Sequence, residues 1–465
     1  MQDAEICLSI DEAMALANIS RNTARAVPTG RWSPFRISPE PFFVDRLTAE
    51  RLETLGPWLR DFYHAADRLY HLSANGDAPA FVAGHLDAGK PDWLVRVARA
   101  ESFREQIPVI IRPDLLFTNT GLRATELDSV PGSMGLLAFL EETYARLGCP
   151  LMGRQPTAEA FLQALQSLPG EDGMTAIVIS DECASYRLET AWLAERWQDQ
   201  GDNSPVVVRP EELQYSEAGV SYNGVRVTRV YRFFELFDWQ NVDGAHALLH
   251  LAASGRVALT PPPKHYLEEK MWFAFLHDPL LSAYWQKLLS EEVLTGLQQL
   301  FPPTWLVAPD RTSPLGDWQR LRQTSRRERP FVLKPSGFSA LAWGGHGFSR
   351  GKDYTTGNWA ETIAQLLSQS DQSPFVLQSY AHSLPRQVSF YDVPTAAIQQ
   401  FSGKTRLCPY YFLHLHKRSF AEQEDVSLSG ALATTVPMQK PVIHGMTEAV
   451  MAPTAIMRDC SIYVP

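Results

Sequence analysis

Four ionisable residues fall in two short alternating stretches, Arg112-Pro113-Asp114 and Glu126-Leu127-Asp128. Residues two apart on a strand share a face, so Glu126 and Asp128 point the same way. Asp114 lies on the partner strand if Thr118-Asn119-Thr120-Gly121 is the turn between them. Three carboxylates on one small patch repel one another strongly. A divalent cation resolves that repulsion, and hard oxygen ligands suit Mg2+. The same residues also fit a solvated acidic sheet face on which Arg112 is a surface ion-pair partner.

Lys334 ends an apolar run, FVLKPS, just before the stretch GFSALAWGGHGFSRGKD. A lysine there suits a point-charge contact to a phosphate. Gly337, Gly344, Gly345, Gly347 and Gly351 would let backbone N–H groups approach phosphate oxygens. The loop matches neither GxxxxGK[ST] nor the dinucleotide fingerprint, and a flexible surface loop reads the same way. PFVLQSY (374–380) is a strand whose backbone at Gln378–Tyr380 could read the edge of a base, though an ordinary core or edge strand is the simpler reading. Lys270, in HYLEEKMWFAFLHDP, is a helical lysine that is either functional or a solvated face. His346, the alternating pair His414 and His416, and Cys183 after Asp181-Glu182 each lack the partners that metal or nucleophile chemistry needs.

The elements that must position these residues are legible from periodicity. Residues 47–72 carry apolar side chains at helical spacing, with Gly56-Pro57 as a division or kink. Residues 107–117 and 122–127 read as a β-hairpin. Residues 132–148 begin a helix with Ser133 as its N-cap. MTAIVIS, the amphipathic stretch 186–201 and SPVVVRPEEL form a βαβ pattern, which predicts a small parallel sheet. Residues 220–234 form a hairpin about Asn223-Gly224. Residues 265–300 are helical, 329–336 and 374–380 are strands flanking a helix at 358–369, and 404–415 is β-like.

Composition bounds the class. The chain has 465 residues, which suggests two or three domains or one large multi-lobed enzyme. Its net charge of −10 argues against a broad nucleic-acid footprint and against a polybasic membrane surface. Five scattered cysteines without a CxxC argue against a disulfide framework or a zinc site and point to a reducing cytoplasm. The first twenty residues lack a basic start and a long apolar core, so no signal peptide is expected, and no apolar run is long enough for a membrane span.

Taken in order, these pieces resemble the circularly permuted ATP-grasp family, whose relatives include the synthetase part of glutathionylspermidine synthase. That family carries an Arg-x-Asp strand followed by a Glu-x-Asn strand. Arg112 and Asp114 match the first, Glu126 the second, and Asp128 stands where Asn is usual. Arg232 in Val230-Tyr231-Arg232 matches a strand element, Lys270 a helical phosphate contact, Lys334 the strand lysine before the glycine loop, and Gln378 the adenine side. The carboxylates precede the lysines, which is the sense of the permutation, and the resemblance spans residues 105–415.

The resemblance implies an α/β (α+β) fold with a helix-rich N-terminal region (1–104), a carboxylate hairpin plus a βαβ subdomain like that preceding the grasp lobes (105–260), and nucleotide-binding lobes with a C-terminal extension (261–465). It implies ATP and Mg2+ as cofactors. Arg112, Asp114 and Glu126 would act in catalysis, with Asp114, Glu126 and Asp128 on the metal. Lys270, Lys334, Gly344, Gly345, Gly347, Gln378 and Tyr380 would lie on the nucleotide. The reaction implied is amide formation between a small-molecule or peptide carboxylate and an amine, through an acyl phosphate. Neither nucleic acid nor membrane is an implied partner. A nucleotide-binding scaffold without turnover and a phosphotransferase remain alternatives.

Overall fold

In the computed structural model, the described residues are 36–457 apart from 147–148, 171, 199–203, 343–345, 393–394, 396, 419–420 and 444–447. The expectations for the first 35 residues, and for Gly344 and Gly345, therefore lie outside the described residues. The described chain is a mixed α/β fold whose strands form three sheets.

The helical periodicity of residues 47–72 is realised as one helix, Arg46–Ala74, that runs through Pro57. Asp45 caps it, its carboxylate accepting from the Thr48 N–H at 2.6 Å. Its buried face includes Leu52, Leu55, Leu59, Phe62 and Leu69. Each such burial contributes roughly 1.5–3 kcal/mol. Gly56 does not divide the helix; a Cβ there would sit 2.8 Å from the Tyr411 ring, and Tyr411 donates its hydroxyl to the Leu52 carbonyl at 2.6 Å. The glycine is a close-packing device between helix and sheet.

The largest sheet runs β1 (Arg36–Ile37), β18 (Val450–Ile456), β17 (Ala421–Pro437), β16 (Ala397–Arg418), β3 (Ile110–Thr118), β4 (Gly121–Asp128), with β15 (Pro385–Asp392) also on β16 and β2 (Phe42–Val44) also on β18. It joins strands from all three expected regions, so the boundaries at 104 and 260 do not separate sheets. β3 and β4 form the expected hairpin, with Arg112 opposite Asp128 and Asp114 opposite Glu126. A bulge shifts the register after Asp114, leaving Thr125 as the extra residue on β4.

β3 pairs with β16 at Leu115–Leu407 and Leu116–Arg406, and again at Ile110–Phe412 and Ile111–Tyr411. Between these pairs lie Pro113 on one strand and Pro409 on the other. Neither has an N–H to donate, and the ladder opens there.

The second sheet follows the βαβ expectation. β5 (Met174–Ile179) and β6 (Val206–Val208) are parallel across the helix Arg187–Gln198. β9 (Val225–Phe233) lies parallel on the other side of β5 and also pairs in parallel with β10 (Ala258–Thr260). β7 (Gln214–Ser216) and β8 (Gly219–Tyr222) complete it, the β8–β9 turn being Asn223-Gly224 with φ of 49° and 77°. The third sheet is antiparallel, in the order β11 (Thr304–Val307), β14 (Phe375–Ser379), β12 (Phe331–Pro335), β13 (Ser349–Arg350). Trp318, Leu321, Trp359 and Ile363 pack on it.

The helix expected after residue 132 spans Met134–Arg146. Its cap differs from the expectation. The N–H groups of Ser133 and Leu136 donate to the Glu189 carboxylate at 2.7 and 3.1 Å, from the helix Arg187–Gln198. A distant acid does the work assigned to the Ser133 hydroxyl.

Candidate active site

One cavity of about 270 Å3 opens between the β3–β4 hairpin, the β12–β14 pair and the segment 268–270. Arg112, Asp114, Glu126, Asp128, Lys270, Lys334, Gln378 and Tyr380 all line it. The sequence pieces separated by up to 268 positions thus meet at one place.

The two lysines arrive together for a local reason. β12 carries Lys334 and ends at Pro335. Ser336 follows, fully buried. Its carbonyl accepts the Lys270 N–H at 2.9 Å and its hydroxyl oxygen accepts the Met271 N–H at 3.0 Å. Lys270 is therefore at the N-cap of the helix Met271–His277, not within it as expected. Gly337 starts the loop against Glu269; a Cβ there would lie 2.7 Å from the Glu269 carboxyl carbon. Glu269 is paired with Lys90 at 2.5 Å, both side chains buried.

Each acid of the hairpin has a cation. Lys270 Nζ lies 2.7 Å from Glu126 Oε1. Arg112 pairs with Asp128 and lies 3.3 Å from Asp114 Oδ1. Arg406 Nη1 donates to Asp114 Oδ2 at 2.9 Å, and the Cys408 thiol donates to Oδ1 at 3.3 Å. The Asp128 carboxylate also accepts the Val130 N–H at 3.0 Å. The sequence expectation was three acids converging on a metal. Among the described residues, no group of three or more His, Cys, Asp or Glu is arranged to hold one. Arg406, paired with Leu116 on the neighbouring strand, reaches Asp114 from β16 and engages one of its carboxylate oxygens.

Lys334 Nζ donates to the Thr125 carbonyl at 2.8 Å and to Gln378 Oε1 at 3.0 Å. The Gln378 amide in turn donates to Thr304 Oγ1 at 3.3 Å. The N–H groups of Ser379 and Tyr380 donate to the Pro303 and Pro330 carbonyls, both at 2.8 Å. Gln378 thus holds Lys334 through its side chain, while those backbone donors already have partners. Gly347 does not line the cavity. Its N–H donates to the Leu341 carbonyl within the loop, and its Cα packs against the Pro335 ring. That bond closes the loop.

Burial lowers the Lys334 ammonium to about 8; Lys270 pushes the same way, while Glu126 and Asp114 partly oppose them. Burial acts on Lys270 too, but the Glu126 carboxylate outweighs it and holds Lys270 above the usual lysine value. For Asp114 burial is outweighed by Arg406, Arg112 and the Cys408 thiol, so its carboxyl is held low. Asp128 is raised by burial despite Arg112. At pH 7 the site therefore holds more than one fixed cation facing a space large enough for a small polyanion.

Three lining groups went unnoticed in the sequence: Glu235, Lys404 and Arg406. Lys404, Arg406 and Cys408 alternate on β16, so the Lys-Thr-Arg pattern at the start of the β-like stretch was the available signal. Glu235 closes the Tyr-Arg-Phe-Phe-Glu run after β9. Burial, with Glu268 and Asp128 nearby, raises it to about 8, and Ser129 donates to it at 2.9 Å. Arg232, deep behind it, is paired with Glu268 at 2.5 Å. Cys183 is buried and its thiol is pushed up by burial, which leaves it inert as a nucleophile.

No protein-family model and no curated protein matches the sequence. Among solved structures, a glutathione synthetase-like effector from Globodera pallida in its apo form superposes with a TM-score of 0.58 at 11% identity, over 98% of this chain and 99% of that one. A putative gamma-glutamylcysteine synthetase from Methylobacillus flagellatus gives 0.39 at 10% identity, over 80% and 84%. The first likeness establishes a shared overall fold. No helix of the described residues is long and apolar enough to cross a membrane.

Proposed function

We propose that the cavity binds ATP and that the chain is an ATP-dependent carboxylate–amine ligase on a circularly permuted ATP-grasp frame. The observation that carries this reading is the meeting of Lys270 and Lys334 with Asp114 and Glu126 around one cavity. The full-length fold likeness to a glutathione synthetase-like protein supports it.

Mg2+ is usually held by one or two carboxylates, with waters and substrate phosphates completing its shell. Glu126 fits that part. It is the most exposed of the three acids, with about a third of its side chain accessible, and it is paired with Lys270. Asp114 and Asp128 fit less well, being held by arginines. When bound, the ion would neutralise phosphate charge.

The remaining work falls to this chain's side chains. Lys334 and Lys270 would pair with phosphate oxygens. Arg112, over the Tyr410 ring at 5.9 Å, would orient the carboxylate substrate. That carboxylate attacks the γ-phosphorus, the bond to the β-phosphate oxygen breaks, and ADP leaves. The amine then attacks the acyl carbon, the bond from that carbon to the phosphate oxygen breaks, and inorganic phosphate departs carrying the amine's proton, with the amide formed. Glu235, protonated at neutral pH and facing the cavity, could accept the amine's proton only after losing its own, so it is better suited to hold the amine by hydrogen bonding. Such a site works by positioning and charge placement.

The test is ADP release with ATP and Mg2+ over a panel of amino acids, short peptides and polyamines, followed by product analysis. ADP formation that needs both a carboxylate and an amine, with an amide produced, supports the ligase. A phosphoester product identifies a phosphotransferase. ATP binding with no ADP from any pair favours the scaffold reading, to which the arginine clamps on Asp114 and Asp128 lend support.

A further inference from the structure

Away from the cavity, the helix Ala245–Ala253 covers the sheet of β5–β10 with Ala245, Leu248, Leu249 and Ala252. Its other side presents His246 and His250, one turn apart and both exposed. Their Nε2 atoms share a hydrogen bond at 3.2 Å, one donating and the other accepting, with ring centroids 4.3 Å apart; an ion binding both would displace that proton to Nδ1 or to solvent. Two imidazole nitrogens bound tetrahedrally to one zinc-like ion, each at about 2.0–2.1 Å, lie roughly 3.3 Å apart. The pair therefore already has the separation of a two-histidine chelate.

The rings are held rather than free to turn. The Trp93 indole packs 4.6 Å from His246 and 5.8 Å from His250, and Trp239 meets Trp93 edge-on at 4.8 Å. Both tryptophans are half-buried. Neutral imidazole is the form that binds zinc, copper and nickel.

We propose that His246 and His250 form a binding site for a divalent transition-metal ion, independent of the nucleotide cavity. The two Nε2 atoms supply two ligands, and water or an external donor fills the rest. Copper(II) is expected to bind most tightly of the first-row ions, following their general order. Because both ligands lie on one helix, a bound ion also stabilises that helix.

The experiment is calorimetric titration of the chain with Zn2+ and with Cu2+, repeated on His246→Ala and His250→Ala. Both histidines are exposed, so far-ultraviolet circular dichroism should show each variant folded. The expected result is saturable binding of one ion per chain at this site, weakened at least tenfold by either substitution. Matching isotherms for the wild type and both variants, or no saturable binding in the wild type, would overturn the proposal.

Discussion

Lys334 donates to the carbonyl of Thr125, the residue that the bulge in β4 leaves over. The contact joins two sheets across 209 positions of sequence. A bulge turns a backbone carbonyl off the ladder, and here that carbonyl holds a buried ammonium in the cavity. The lowered value of Lys334, about 8, is a consequence of that burial.

A polyanion in the cavity stabilises the charged form of Lys334 and raises its pKa. ATP binding near pH 8 should therefore take up protons. Affinity should fall as pH rises through 8, because free Lys334 loses its charge there. Glu235, raised to about 8, ionises over the same range and acts in the same direction. Calorimetry in buffers of different ionisation enthalpy measures the uptake. Lys334→Arg should remove the lysine's share, and Glu235→Gln the rest.

Glu126→Gln leaves Lys270 without its carboxylate partner while keeping the shape of the site. ADP release should fall on the order of 100-fold. The melting temperature should fall, since Lys270 is largely buried and loses its partner, but unfolding should stay cooperative because Glu126 itself is partly exposed. Full turnover in this variant would remove Glu126 from the reaction.

Asp114 is buried and depends on two arginines. Arg406→Met should destabilise the fold by about 3 kcal/mol, the lower end for breaking a buried pair, because Arg112 remains. Adding Asp114→Asn should recover part of that loss. Urea unfolding of the single and double variants gives the coupling between them.

Glu141 is buried in the helix Met134–Arg146 and accepts from the Thr157 N–H and hydroxyl at 2.9 and 2.8 Å. Burial raises it to about 8, from an ordinary value of 4.5. Between those two values the unfolded chain has lost this proton and the native chain keeps it. Stability should therefore fall with rising pH across that window and level off above 8. Glu189, raised by burial to about 7, adds to the same trend. Glu141→Gln should flatten the profile measured by urea unfolding from pH 5 to 8.

The hairpin of β3 and β4, the βαβ unit and the Asn223-Gly224 turn were legible because each rests on local periodicity and turn chemistry. The meeting of Lys270, Lys334 and the acids was an expectation that came from the family resemblance and not from the residues taken singly. What was not legible depends on contacts between distant strands. Nothing local at Lys404 or Arg406 says that β16 lies beside β3, and so nothing said that Arg406 would join Arg112 on Asp114. Glu189 capping a helix 53 positions away is the same kind of event. The continuity of the Arg46–Ala74 helix through Gly56-Pro57 is another, because Tyr411 supplies the surface that the glycine packs against.

Equilibrium binding of ATP to the intact chain and to a Lys270→Ala, Lys334→Ala double variant bears most directly on the cavity. Saturable binding of one nucleotide to the wild type, reduced at least a hundredfold in a double variant that still melts cooperatively, is the expected result. Equal ATP affinity in the two proteins, or no affinity in the wild type, would contradict it.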